Sequence, residues 1–340
     1  MHKPTTKSNN EINQQLISLL ETHYDIIEKE SSLEILRNNP GRTVAKITYK
    51  NEKSWVLRSY PCNSRHFQGL SAMSKVLDFL EQKNYRSPRI IKTSNGELTT
   101  TDSSQGIILL DYIEGKQADS SLPSLHALGQ SLGRLHSLKL PLMDKAIPLP
   151  ETLYSPQNEI DNSIQALNRI SKKITSDTKQ AYDYFLSILN QLHILEDTPK
   201  TIIHTDASSG NAVISKTGNA IFIDWDDAGI GYSLIDLGYL LCTSVNDQPC
   251  LHGLKPIPER IKSIIYGYRQ HHCLLTQIEQ ESLMQGICFS ATLYGVDHLV
   301  RSIEGSANGI EWRWWWARCR AATEIANIAL QYFDDSRNDD

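Results

Sequence analysis

The chain of 340 residues lacks the marks of several broad protein classes. It has no C-x-x-C pair. Its six cysteines, Cys62, Cys242, Cys250, Cys273, Cys288 and Cys319, are scattered, which suits small apolar fillers in a reducing compartment rather than a disulfide frame or a zinc site. His271, His272 and Cys273 adjoin, but neighbours in sequence point in different directions and make a poor metal site. A basic surplus is missing too: Lys plus Arg number 34 against 39 Asp plus Glu, a net charge of −5, which argues against a clamp for nucleic acid. Long apolar runs are absent. Met1 to Asn13 has no signal-peptide core, and the most apolar stretch, Ile107 to Ile113, is interrupted by Asp111 and too short for a bilayer. A soluble cytoplasmic protein, with no nucleic-acid or membrane partner, is the expectation. No internal repeat occurs. What is present is 40% hydrophobic and 21% charged residues, ordinary for a chain that buries real cores, with length for two lobes.

Apolar spacing predicts an amphipathic helix over 14–30, with Leu16, Leu19, Leu20, Ile26 and Ile27 on one side. Two alternating runs, Val44–Tyr49 and Ser54–Arg58, flank a polar tract and predict a β-hairpin. The turn-forming Asn38-Asn39-Pro40-Gly41 reads as a loop before it. Leu70–Leu80 reads as a helix and Ile107–Tyr112 as a buried strand. Beyond Gly115 the periodicity turns helical, over 125–138, 160–174 and 180–194. A second hairpin follows, with strands at 212–215 and 220–223 around a Gly-bearing turn, and the chain is mostly helical from Leu234 to Phe333. The expected fold class is α+β and bilobal: a flexible N-terminus over 1–13, a small β-rich N-lobe over 14–114, a larger helical C-lobe over 115–333 and a flexible tail over 334–340.

The segment His204-Thr205-Asp206-Ala207-Ser208-Ser209-Gly210-Asn211 fits H-x-D-x4-N, and the apolar strand after it ends at Asp224. Phosphoryl transfer needs few protein groups: a carboxylate to orient the acceptor hydroxyl and take its proton, and oxygen ligands for Mg2+. Asp206 suits the first role, Asn211 and Asp224 the second. The hairpin brings residue 224 beside residue 211, and a sparse ligand set is what Mg2+ accepts, since it keeps waters and substrate phosphates. A loop whose Asp and Asn merely cap turns is the bland alternative. His204 is read as packing and fixing the loop rather than acting as a base.

These residues resemble the catalytic core of the aminoglycoside phosphotransferase and choline kinase superfamily, small-molecule kinases with a protein-kinase-like fold. Leu128-Gly129 through Leu135-His136-Ser137-Leu138 resembles the helix after the family's inter-lobe hinge. Asp226-Asp227-Ala228-Gly229 and Asp236-Leu237-Gly238 resemble the run after its metal-binding Asp. The resemblance implies a catalytic base at Asp206, metal ligands at Asn211 and Asp224, and a buried acid at Asp236 that stabilises the loop. It also implies a phosphate-gripping cation at Arg58, a phosphate-covering turn at Gly41, and a hinge at Leu110-Asp111-Tyr112 whose main chain holds the adenine. Met73 falls where the family places the acid that pairs with the phosphate-gripping cation, and Glu81 falls one turn off.

Four of the six tryptophans crowd at Trp312, Trp314, Trp315 and Trp316 beside Arg313, Arg318 and Arg320. On a helix Trp312, Trp316, Cys319 and Thr323 share a face, which suits either a packed core or an aromatic wall for a cationic acceptor. Asp227, Glu304, Glu311 and Asp297 are either solvated charges or complements to an amine-bearing substrate. The sequence thus predicts an ATP-dependent (or GTP-dependent) phosphotransferase using Mg2+. It would move the γ-phosphoryl group to a small-molecule hydroxyl of an aminoglycoside-like antibiotic, a choline-like alcohol or a sugar. The alternatives are a Ser/Thr protein kinase of the same fold and a nucleotide-binding pseudokinase.

Overall fold

A computed structural model describes residues 9–26, 31–50, 53–140, 155–192, 197–245, 254–272, 275–306 and 309–334. The chain divides into two compact units, Met1–Ile113 and Glu114–Asp340.

The first unit is an antiparallel sheet with two helices. Its strands are β1 (Ser31–Asn39), β2 (Arg42–Tyr49), β3 (Lys53–Pro61), β4 (Thr100–Thr101) and β5 (Gln105–Asp111), in the order β1-β2-β3-β5-β4. The register aligns Ala45 with Leu57 and Leu57 with Leu109, and one step along it aligns Val44 with Arg58 and Arg58 with Ile108. Successive side chains alternate between faces. Helix α1 (Asn9–Tyr24) therefore packs Leu16 and Leu20 on Ala45, Ile47, Leu57, Ile107 and Leu109, and Arg58 lies on the opposite face. Each of those leucines contributes about 2 kcal/mol on burial. Helix α2 (Arg65–Gln82) starts at Ser64, whose hydroxyl accepts from the Phe67 amide at 3.1 Å.

Three features of this unit depart from the sequence reading. Strand β1 occupies a stretch in which no strand was expected. Its side chains alternate between half-buried and exposed, too polar a pattern to announce a strand, and pairing with β2 is what defines it. Asn39-Pro40-Gly41 is then the turn of a hairpin, with Asn39 Oδ1 accepting from the amides of Gly41 at 3.0 Å and Arg42 at 2.9 Å. Helix α1 begins at Asn9, inside the expected flexible N-terminus, and ends at Tyr24, after which Asp25 takes a left-handed φ of 53°. Residues 1–8, the end of the expected first helix at 27–30, and the tail at 335–340 lie outside the described residues, as do Cys250 and Cys273.

The second unit is mainly helical: α3 (Leu122–His136), α4 (Pro156–Ile170), α5 (Ser176–Leu189), α6 (Ser233–Ser244), α7 (Pro258–Arg269), α8 (Gln277–Ile303), α9 (Glu311–Arg320) and α10 (Ala322–Asp334). Helices α4 and α5 each begin a turn before their apolar stripes, because Ser155 with Pro156 and Thr175 set the N-termini whereas periodicity marks only the buried face. Short strands carry the loops: β6 (Lys116–Gln117), β8 (Ala212–Ile214) and β9 (Ala220–Phe222) form one sheet, and β7 (Lys200–Ile203) pairs with β10 (Gly229–Tyr232). Helices α3 and α7 cross closely. A Cβ on Gly129, Gly133 or Gly267 would stand 2.1, 2.2 or 2.1 Å from a carbonyl oxygen of the facing helix. This approach brings His136 at the end of α3 to Tyr268 on α7. Among the described residues, no helix is long and apolar enough to cross a membrane.

Candidate active site

Strand β7 delivers the chain to His204, and β10 returns antiparallel to it before α6 begins. The first turn of α6 carries Asp236, which is fully buried. Its carboxylate accepts from the His204 amide at 2.6 Å, the Thr205 amide at 2.6 Å and the His136 ring at 3.4 Å. His136 in turn contacts the Tyr268 hydroxyl through Nδ1 at 2.8 Å. A buried carboxylate is tolerated when its lone pairs are met by donors, and here those donors are the amides that open the loop.

His204 is fully buried, its ring 4.6 Å from Trp225 and 5.4 Å from Phe222, centroid to centroid. Its Nδ1 accepts from the Asp206 amide at 3.3 Å, so Nε2 carries the proton and donates to the Ile223 carbonyl at 2.9 Å. One imidazole thus ties the loop to the strand end before Asp224. Two residues here hold left-handed backbone, Thr205 with φ 72° and Asp224 with φ 69°. Aspartate tolerates this region. For a β-branched threonine it costs about 1–3 kcal/mol, and the paired amides on Asp236 hold it.

Asn211 closes the constellation. Its side-chain amide donates to Asp206 Oδ2 at 2.6 Å and to the Asp206 carbonyl at 3.1 Å. Its main-chain carbonyl accepts from the Ile223 amide at 2.8 Å, beside Asp224. The β8–β9 register, Ala212 opposite Phe222, produces this neighbourhood. Burial pushes the Asp206 carboxyl above its ordinary range, against the nearby Tyr239 and the hydrogen bond from Asn211, and the negative charge of Asp224 adds to the rise. Asp206, Asn211 and Asp224, singled out by spacing alone, therefore come together.

The residues named for the acceptor do not converge with them as a group. Asp227 lies half-buried in the turn after Asp224. Glu304 ends α8 and pairs with Arg169 at 3.0 Å, Glu311 stands 2.9 Å from His298 Nδ1, and Asp297 pairs with Arg301 at 3.3 Å. Trp312 is 2% exposed and belongs to the core. The expected helix face through Thr323 is interrupted at Ala321, where α9 gives way to α10. Trp312, Trp315 and Trp316 each carry a guanidinium of their own helix over the ring, from Arg313 at 5.1 Å, Arg318 at 5.6 Å and Arg320 at 5.2 Å.

Sequence reasoning missed Tyr239 and Tyr294. Tyr239 lies near enough to Asp206 to oppose the rise of its carboxyl. Its ring stacks 5.2 Å from Tyr294, which stacks 4.7 Å from Trp315. The available signal was the i,i+3 spacing of Asp236 and Tyr239 on α6, which puts both on neighbouring positions of one helix surface.

In the β-rich unit, Arg58 is buried on β3. Gly41 lies in the β1–β2 turn and Leu110 ends the buried run of β5. The Asp111 amide donates to the Arg89 carbonyl at 2.9 Å while its side chain accepts from the Arg89 amide, and the Tyr112 amide donates to the Ser54 carbonyl at 3.1 Å. Burial raises the Asp111 carboxyl, against the Arg89 contacts, with Glu81 adding to the rise. Lys46 stands over the Tyr112 ring at 4.2 Å. Met73, on α2, is 1% exposed.

A sequence profile described as the phosphotransferase enzyme family matches residues 37–252. No curated protein matches the sequence. Among solved structures, amicoumacin kinase in complex with AMP-PNP and Ca2+ aligns with TM-score 0.65 at 16% identity, covering 97% of this chain and 97% of that one. Spectinomycin phosphotransferase with ADP and spectinomycin aligns at 0.60 and 15%, covering 94% and 98%. Choline kinase from Cryptosporidium parvum Iowa II aligns at 0.62 and 14%, covering 95% and 96%.

Proposed function

The chain belongs to the phosphotransferase enzyme family, and on that premise we propose which residues of its kinase-like α+β fold carry the transfer, and to what. It is a small-molecule phosphotransferase with an alcohol group as acceptor. In our reading the donor is ATP or GTP, and Asp206 aligns the acceptor hydroxyl and takes its proton as the γ-phosphoryl group moves. The observation that carries this is the hydrogen bond of Asn211 to Asp206 beside the strand end that bears Asp224.

The donor set suits a hard divalent cation such as Mg2+. The Asn211 side-chain nitrogen is committed to Asp206, which leaves its Oδ1 as the oxygen available to a metal. The charge of Asp224 raises the Asp206 carboxyl, a repulsion that a cation held by Asn211 and Asp224 relieves. When bound, such a cation would neutralise charge on the phosphates of the donor. On the nucleotide side, Arg58 has the permanent charge and planar fork that suit phosphate oxygens. Gly41 and the main chain of Leu110-Asp111-Tyr112 complete the proposed nucleotide contacts.

The acceptor is open among aminoglycoside-like, choline-like and sugar-like molecules. Asp227 is the candidate acceptor residue nearest the base in sequence, whereas Trp312 is packed in the core and Glu304 and Glu311 are engaged elsewhere. The test is incubation of the protein with Mg2+ and γ-labelled ATP or GTP across a panel of these three acceptor classes. Label on a small molecule is expected. Label confined to added protein would replace this reading with a protein kinase, and tight nucleotide binding with no transfer would replace it with a pseudokinase.

A further inference from the structure

We propose that Tyr268 is a positioning residue for the His204–Asn211 loop, acting through His136 and Asp236, so that α7 sets the entry to the segment that carries the base. The proposal rests on the reading of Asp206 as that base.

The three side chains form a buried line. The Tyr268 hydroxyl stands 2.8 Å from His136 Nδ1, and His136 Nε2 stands 3.4 Å from Asp236 Oδ2. Tyr268 and Asp236 are fully buried, as is the His136 side chain. Asp236 commits both carboxylate oxygens to the loop, Oδ2 to the His204 amide and Oδ1 to the Thr205 amide, each at 2.6 Å. A carboxylate accepts, so Nε2 carries the His136 proton. Nδ1 of the neutral ring is then an acceptor, and Tyr268 is its donor. Burial raises the Tyr268 hydroxyl well above its ordinary range, and the charges of Glu279 and Asp236 add to the rise, which keeps that proton in place. Donation thus runs from Tyr268 through His136 to the acceptor of the two loop amides, and such a chain polarises each member in turn. Thr205 holds its left-handed φ of 72° between those amides and Asp206, so the direction in which the Asp206 side chain leaves the loop depends on both amides staying on Asp236.

The packing of α3 on α7 serves this line. Gly133 faces Tyr268 so closely that a Cβ would stand 2.2 Å from the Tyr268 carbonyl oxygen. His136 follows three residues later, and its own carbonyl accepts from the Thr201 hydroxyl on β7 at 3.2 Å. The Tyr268 ring lies 5.6 Å from His136, 5.0 Å from His272 and 6.2 Å from Phe333, centroid to centroid. Those contacts belong to the ring and survive in phenylalanine, so the hydroxyl can be removed alone.

Turnover is read as labelled phosphate released from γ-labelled ATP with water as acceptor, for wild type, Tyr268→Phe, His136→Leu, their double variant and Asp206→Asn. Tyr268→Phe is expected to lower kcat on the order of fivefold, to leave the Kd for ATP unchanged, and to cost nothing further in the His136→Leu background. An unchanged kcat, or an equal loss in both backgrounds, would overturn the positioning role while leaving Asp206 as base. Wild-type turnover by Asp206→Asn would overturn both. Two readouts need no activity. In protein labelled with 15N-histidine, His136 should show a protonated Nε2 and a bare Nδ1 whose resonance moves in Tyr268→Phe; a protonated Nδ1, or a resonance that stays in place, would contradict the proposal. Hydrogen exchange of the His204 and Thr205 amides should quicken in Tyr268→Phe, and unchanged exchange would confine the hydroxyl's effect to His136 and overturn the role in the loop.

Discussion

The His204–Asn211 loop of the helical unit and the Arg58 face of the β-rich unit, to which we assign the base and the phosphate grip, are built differently. In the loop, consecutive amides from His204 to Asp206 have assigned acceptors, two on Asp236 and one on the His204 ring, and Asn211 fixes the carboxylate. On the sheet, Arg58 shares its face with Val44 and Ile108, and α2 buries Leu70, Met73, Val76, Leu77 and Leu80. On α2, Asp78 accepts from Gln82 at 2.7 Å, and Glu81 is exposed and acts on Asp111. A proton acceptor needs an angle, and directional hydrogen bonds fix one. A cation that grips phosphate needs charge and a dry wall, which apolar packing supplies.

Variants in the two regions should therefore fail differently. The largest effect is expected from Asp206→Asn, which lowers kcat by about 10²–10⁴-fold and leaves nucleotide affinity intact. Because burial raises the Asp206 carboxyl above 3.8, its protonated form is the one the folded state favours. That contribution to stability is present below the unfolded value and is lost as pH rises through the raised one. At neutral pH the asparagine variant should thus melt no lower than wild type, and wild-type turnover should fall on acidification at a pH above 3.8, as a pH–rate profile would show.

Next comes Asp236→Ala, which strips the acceptor from two buried amides and from His136, and should cost about 3–5 kcal/mol in urea unfolding. A loss under 1 kcal/mol would mean that the loop holds itself, which removes one side of the comparison. Met73→Glu would place a carboxylate among the buried apolar side chains of α2 and should cost about 2 kcal/mol. A tighter ATP complex instead would show the two regions to be built alike. The smallest effect is expected from Arg58→Ala, a rise of about tenfold in the KM for ATP. Arg58→Lys should fall between it and wild type, since an ammonium keeps the charge but not the fork.

Much of the loop's geometry was legible because its contacts are local in sequence. H-x-D-x4-N and a short apolar strand suffice to bring Asp206, Asn211 and Asp224 together through the β8–β9 register. The β2–β3 hairpin was legible from its alternation. Strand β1 was not, since its half-exposed residues carry little apolar signal and pairing alone defines it. Helical spacing placed Trp312 and Cys319 on one face, and that face is the core. Trp315, one step off it, reaches Tyr294. Tyr239 stayed hidden for the same reason: its ring partners come from α8 and α9, and no spacing within α6 encodes them. The break at Ala321 is masked by residues on both sides that favour helix.

The most direct test of the difference between the two regions is a paired measurement of kcat and of the KM for ATP in Asp206→Asn and Arg58→Ala, with one acceptor and saturating Mg2+. The loop variant should lose kcat at unchanged KM, and the sheet variant should raise KM with the smaller change in kcat. Two variants that lose kcat equally, each with its KM intact, would contradict the division of labour between a fixed base and a gripping charge.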